Sequence, residues 1–318
     1  MAAIRTRGMR RTFGGVTAVA GLDLDVEAGE IFGLVGPDGA GKTTTLRMLT
    51  GILPPTAGSI EVAGCDVVRQ PGGVKDRIGY LSQRFGLYPD LTVAENLAFH
   101  ADLQGVPPAE MPARTARLLG FSGLDAFHRR LAGDLSGGMK QKLGLACALI
   151  HKPRILFLDE PTNGVDPVSR RDFWRILHQL VREGVTILVS TAYLDEAERC
   201  SRLALLHEGR VLALGTPGEV KSILPGSLLE VRTADSRKAC LVLRARLPES
   251  RVVLFGDRIH VTAADAAAAG RRISEALAAE GLPPESVRPV EPSLEDVFVA
   301  VLARPALPGS GAEAPSSP

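Results

Sequence analysis

The segment Gly36-Pro37-Asp38-Gly39-Ala40-Gly41-Lys42-Thr43 fits the pattern G-x-x-x-x-G-K-[ST]. Glycines there let backbone N–H groups converge on phosphate oxygens with no Cβ in the way. A helix opening at the end of the pattern adds its positive N-terminal end. Lys42 is placed to bridge the outer phosphates of a nucleotide, and Thr43 to set its hydroxyl on Mg²⁺; with Thr44, these residues make a candidate ATP-binding set. Further on, the apolar run 155–158 ends in Asp159-Glu160. Two carboxylates at a strand end lie where open α/β sheets bind their ligands. Asp159 suits Mg²⁺ through water, and Glu160 suits the orientation or deprotonation of an attacking water. A Gly-rich turn or an isolated acid pair is ordinary alone. The two in this order, with Pro161-Thr162 following, are not.

These groups need a scaffold. The runs 31–35, 155–158, 186–189 and 203–206 are apolar without alternation, as expected of parallel strands covered on both faces. A helix is expected over 44–49. Another opens at Asp166 as cap and Pro167 in the first turn, with Phe173, Ile176, Leu177, Leu180 and Val181 at helical spacing. The chain has 318 residues and is 45% hydrophobic, enough for a large domain plus a small one. A net charge of +1 argues against a nucleic-acid partner bound by charge. The four cysteines form no CxxC pair and suggest no disulfide framework; Cys147, in an apolar run, reads as a buried thiol. Arg5, Arg7, Arg10 and Arg11 are followed by no apolar run, so no signal peptide is expected. No stretch approaches the ~18 apolar residues of a spanning helix, so at a membrane another polypeptide must do the spanning.

Pro217-Gly218 marks a seam. Beyond it the pattern predicts strand 228–232, helix 236–247, strand 252–255, a Gly256-Asp257 turn, strand 258–262, helix 263–280 and strand 287–290. That βαββαβ order is the split ferredoxin-like arrangement. A helix over 293–302 follows, and the Pro/Ala/Gly/Ser tail from 304 to 318 is expected to be disordered. The expected organisation is 1–217, 218–303 and 304–318.

Leu135-Ser136-Gly137-Gly138-Met139-Lys140-Gln141-Lys142, between the two phosphate motifs, resembles the signature of the ATP-binding cassette (ABC) family. That resemblance implies an α/β P-loop NTPase fold: a RecA-like core, an antiparallel β subdomain and a helical subdomain, here followed by a small α+β extension. It also implies a head-to-tail pair of cassettes. Ser136, Gly137 and Gly138 would then close on the nucleotide held by the other subunit, in keeping with the anion affinity of a helix N-terminus. Ser136 also reads as a plain N-cap, but that leaves the double glycine unexplained. Residue by residue, Phe13 resembles the aromatic that stacks on adenine. Gln83 resembles the glutamine that touches Mg²⁺ and serves catalysis, and Gly164-Val165-Asp166 resembles the D-loop. Two positions depart from the family: Met139 stands where Gln is more usual, and Ala192, in Ser190-Thr191-Ala192-Tyr193, stands where the H-loop carries its histidine. His178 and His207 read as ordinary surface or helix residues.

Glu291-Pro292-Ser293-Leu294-Glu295-Asp296-Val297-Phe298 is similar to the ending of ATPase subunits of daunorubicin-type exporters. The resemblance implies an ATP-hydrolysing subunit at the cytoplasmic face of a membrane. Its partners would be transmembrane permease subunits, which choose the substrate, and a second cassette, with a heterodimer favoured because Ala192 weakens this chain's own site. A loop with Gln83, Phe85, Leu87 and Tyr88 is expected to offer exposed apolar groups to the permease. An importer ATPase should end in a different domain. A DNA-repair relative would carry a coiled coil between Lys42 and Ser136, but those 94 positions hold no heptad run. A translation-type factor would have two cassettes on one chain. A nucleotide-dependent regulatory or importer ATPase with weak hydrolysis is the alternative.

Overall fold

Strands whose two faces are both buried form the centre of the first unit. The computed structural model describes residues 2–83 and 86–302, and the chain divides between Pro217 and Gly218 into two compact units. In the first, a six-stranded sheet runs in the order Arg210–Gly215, Arg202–His207, Ile31–Val35, Thr186–Thr191, Ile155–Asp159, Ile78–Leu81. All neighbours are parallel except Arg210–Gly215, which pairs antiparallel with Arg202–His207. Ile31, Leu156, Leu158, Ile187 and Val189 pack into one apolar cluster with Leu97, Leu143, Phe173 and Trp174 from the helices. Phe32, Leu34, Ile155, Phe157 and Leu188 pack into the other, with Leu46 and Met48 of the helix Lys42–Leu49 and with a second sheet. This double coverage is the physical reason for the unalternating apolar runs. Each such buried side chain contributes roughly 1.5–3 kcal/mol.

The second sheet is antiparallel, in the order Val16–Glu27, Ala2–Phe13, Ala57–Val62, Cys65–Asp66. Its first hairpin turns at Gly14-Gly15, both at positive φ, as a tight two-residue turn requires. Three helices, Val93–Leu103, Met111–Ser122 and Gly137–Leu149, form the remaining layer. Thr92 and Glu95 close a capping box on the first of them. Pro167–Arg182 opens as expected, with the Asp166 carboxylate accepting from the N–H groups of Val168 and Ser169.

The second unit is a four-stranded antiparallel sheet in the order Arg251–Phe255, Arg258–Ala263, Ser227–Arg232, Ser286–Val290. Helices Ser236–Arg246 and Ala266–Ala279 complete the βαββαβ topology. The helix expected from residue 263 begins three residues later. Ala263 is still paired with Ser227 in the sheet, and the Asp265 carboxylate caps the helix at Ala267 and Ala268. Ser286–Val290 forms at an edge, where Pro289 has no ladder N–H to lose. Helix Leu294–Leu302 follows. The expected disordered tail lies outside the described residues. No helix among the described residues is long and apolar enough to cross a membrane. All four cysteines are buried and free, and burial pushes the Cys147 thiol up to about 12.

Candidate nucleotide site

Strand Ile31–Val35 delivers the phosphate loop to the end of the sheet, where the Gly36 N–H donates to the Thr191 carbonyl at 3.2 Å. Backbone crowding explains the glycines here. A Cβ at Gly36 would stand 2.2 Å from the Leu206 carbonyl oxygen. One at Gly41, whose φ is +97°, would stand 2.5 Å from that of Ala18. Lys42 is 4% exposed; its Nζ donates to the carbonyls of Gly36 (2.7 Å) and Pro37 (3.0 Å) and meets Glu160 Oε1 at 3.0 Å. The ammonium is thus solvated by its own loop and by the neighbouring acid.

The adjacent strand ends on the acid pair. Asp159 is buried, and its Oδ1 accepts from the hydroxyls of Thr43 (3.0 Å) and Ser190 (2.7 Å). Tyr80 stands near this carboxylate. Burial, then the Asp159 charge, pushes the Tyr80 phenol up to about 12, so it stays protonated. Glu160 sits at φ 48°, a costly backbone for a residue with a side chain. Its N–H is held by the carbonyl and hydroxyl of Ser190, at 3.2 and 3.0 Å. Its Oε2 accepts from Gln83 Nε2 (3.1 Å) and Asn163 Nδ2 (3.4 Å). The structure therefore brings Lys42, Thr43, Asp159, Glu160 and Gln83 together. Residues 38–44, including Asp38, Gly39, Ala40 and Thr44, form with Ala18, Gln83, Glu160 and Asn163 the wall of a cleft of about 340 Å³.

Other expected site residues lie elsewhere. Phe13 is 44% exposed and absent from that wall; the Arg11 guanidinium lies 4.5 Å over its ring. Ser136, Gly137 and Gly138 are also absent from it. Ser136 caps the helix Gly137–Leu149, accepting from the Met139 N–H at 3.3 Å. The double glycine is half explained within the chain. A Cβ at Gly138 would stand 2.6 Å from Ser169 Oγ, whereas one at Gly137 would meet nothing within 4 Å. Of the expected docking loop, Tyr88 is 46% exposed, but Leu87 is partly buried against the helical core; Phe85 lies outside the described residues. His207 ends a strand and His178 lies exposed on a helix.

Beside the cleft is a smaller cavity of about 130 Å³, with Asp38, Glu160, Asn163, Ala192 and Tyr193 in its wall. Residue type and spacing give no signal for Tyr80 or Asn163; Ser190 and Tyr193 belong to the motif that holds the anomalous Ala192.

Comparison with known proteins accords with this geometry. Residues 19–163 match the family described as ABC transporter. The daunorubicin/doxorubicin resistance ATP-binding protein DrrA of Streptomyces peucetius is 39% identical over 308 residues, covering 96% of this chain and 93% of DrrA. The chain belongs to the ATP-binding proteins of ABC transporters. A second relative, "Probable multidrug ABC transporter ATP-binding protein YbhF" of Escherichia coli (strain K12), is 43% identical over 305 residues. The match covers 95% of this cassette protein but 52% of YbhF, so the chain spans about half of that relative's length. A solved ATP-binding subunit of an ABC transporter superposes with a TM-score of 0.64 at 29% identity, covering 70% of this chain and 92% of that one. CbiO1 of Clostridium perfringens, part of the complex cbiONQ, gives 0.65 at 25% identity, covering 78% and 96%.

Proposed function

We propose that this cassette protein binds and hydrolyses Mg-ATP to drive export through separate transmembrane permease subunits, from the cytoplasmic face of the membrane. One observation carries the reading: a buried lysine, a loop hydroxyl, an acid pair and Gln83 converge on one cleft at the carboxyl end of a parallel sheet. Lys42 and the backbone N–H groups of the loop hold the phosphates. Thr43, Gln83 and Asp159 offer oxygen donors of the kind a hard divalent cation takes, and they would hold Mg²⁺, whose charge offsets that of the phosphates. Glu160 aligns the attacking water and accepts its proton. DrrA and YbhF are named for drug resistance and multidrug transport, which supports export as the direction. The segment beyond Gly218 is taken as an accessory domain.

Ser136 and Gly137 lie outside the wall of their own chain's cleft, which supports a second cassette that presents them in trans. Phe13 is taken to stack on adenine once Arg11 moves aside. With Ala192 in place of a histidine, the chain's own site lacks one phosphate ligand. Loss of such a charged hydrogen bond costs about 1.5–3 kcal/mol, or roughly ten- to a hundredfold in rate. A heterodimer whose other cassette has an intact H-loop is the favoured assembly. The test is ATP turnover by the purified chain, by Lys42→Ala and by Ala192→His. Slow turnover that Lys42→Ala abolishes and Ala192→His accelerates is expected. Turnover indifferent to Lys42 would refute the site, and brisk turnover indifferent to Ala192→His would refute the asymmetric assembly.

A further inference from the structure

We propose that Tyr193 and Asn163 act as a positioning pair that holds Glu160 in its reactive orientation. The inference rests on the function proposed above and adds two residues to it. The Tyr193 hydroxyl donates to Asn163 Oδ1 at 3.4 Å, and Asn163 Nδ2 donates to Glu160 Oε2 at 3.4 Å. An amide suits the middle of such a chain, because it accepts on one side while donating on the other. Both residues, with Glu160, line the small cavity beside the nucleotide cleft, and Asn163 lines the cleft as well.

The tyrosine is held from several sides. Its N–H donates to Thr191 Oγ1 at 3.0 Å, and the Arg170 guanidinium lies 4.3 Å over its ring. Arg170 is anchored in turn on Glu196, which is fully buried; their Nε and Oε1 are 3.5 Å apart. Glu196 also accepts from the hydroxyls of Thr162 and, at 2.8 Å, Thr191. One buried carboxylate thereby ties the segment after Glu160 to the segment carrying Tyr193. Such a network fixes the distance between them more tightly than a surface loop would. A merely structural tyrosine would need only the ring, which packs under Arg170. The hydroxyl is spent on Asn163 alone among the described contacts. Ala192, whose side chain ends at a methyl group, adds no hydrogen-bonding group to this cavity; Lys42 holds one Glu160 oxygen, and Gln83 and Asn163 hold the other.

The arrangement makes Glu160 orientation sensitive to a single oxygen atom. Tyr193→Phe keeps the ring and its contact with Arg170 and removes only that oxygen. Its kcat for ATP hydrolysis should fall roughly three- to tenfold, the worth of one neutral hydrogen bond. KM for ATP and the melting temperature should stay at the parent values. Asn163→Ala should lower kcat at least as much, and the double variant no further than Asn163→Ala alone, since the two act in series. Unchanged kcat in Tyr193→Phe, a loss confined to KM, or losses that multiply in the double variant would each overturn the pairing. Lys42→Ala measured alongside separates this from the parent reading. If the unmodified chain shows no Lys42-dependent turnover, the proposed function itself fails and takes the pairing with it.

Discussion

Both units bury acidic side chains, and the second unit treats its pair in the opposite way to the acid pair of the nucleotide site. In the second unit, Glu230 is 3% exposed and accepts from Arg288 (2.8 Å), Arg232 (3.2 Å) and Arg258 (3.2 Å). Asp296 lies 2.6 Å from His260 Nδ1 and accepts from the Ser293 N–H and hydroxyl at 2.9 and 2.6 Å. Burial alone would push both carboxyls up. Hydrogen bonds from the arginines to Glu230, and from His260 and Ser293 to Asp296, outweigh it and hold both below the usual carboxylate range. In the cassette, by contrast, Asp159 receives neutral hydroxyls, and Glu160 shares a single lysine that is itself part of the phosphate loop. The charges of the second unit are spent on holding the Leu294–Leu302 helix and the sheet. The acid pair of the cassette has one lysine for two carboxylates, and Glu160 lines a cleft, the setting of a ligand site.

The contrast breaks most visibly at the two glutamates. Glu160→Gln should cut ATP turnover on the order of a hundredfold or more while the fold persists, because the amide oxygen still accepts from Lys42. Glu230→Gln should leave turnover within about twofold and lower stability by about 1–2 kcal/mol; its arginine partners are half exposed and re-solvate. Turnover assays and thermal melts of the two variants, compared side by side, decide the matter. A Glu230 variant that loses activity without losing stability would erase the distinction.

A smaller effect is expected from pH. The folded values of Asp296 and Glu230 are depressed, so their stabilisation is fully present above the ordinary carboxylate range, near pH 4–5. It is lost as pH falls through the lowered folded values. Asp296→Asn should therefore melt lower than the parent at pH 7, and the gap should close as the melts are repeated toward pH 3. A gap that is constant with pH would mean that the carboxylate charge is not what docks the helix.

A last effect separates the signature glycines. Gly138→Ala forces a methyl onto Ser169 and should cost about 1–3 kcal/mol of stability, whereas Gly137→Ala faces open space and should cost none. If Gly137→Ala nevertheless lowers turnover of the assembled transporter, its freedom serves a partner rather than its own fold. Equal stability losses at both positions would remove that inference.

Much of this molecule was written locally. The phosphate loop, the strand before it, the acid pair and the signature serine are contiguous patterns whose chemistry follows from residue type and spacing. The βαββαβ order beyond Gly218 was legible for the same reason, since periodicity and turn residues are local. Element ends were less so. Ala263 reads as helix by propensity, but pairing with Ser227 makes it strand. The tertiary fold alone decided which distant residues meet. Tyr80 and Ser190 reach Asp159 only because their strands flank the one that carries it. Asn163 and Tyr193 meet because Glu196 ties their segments together. Nothing in the spacing of Glu230 and Arg288 announces their ion pair, which exists because two strands 58 positions apart lie side by side. Local chemistry is carried by the order of residues along the chain. Convergence of charges depends on sheet order, which burial of both faces of the strands selects.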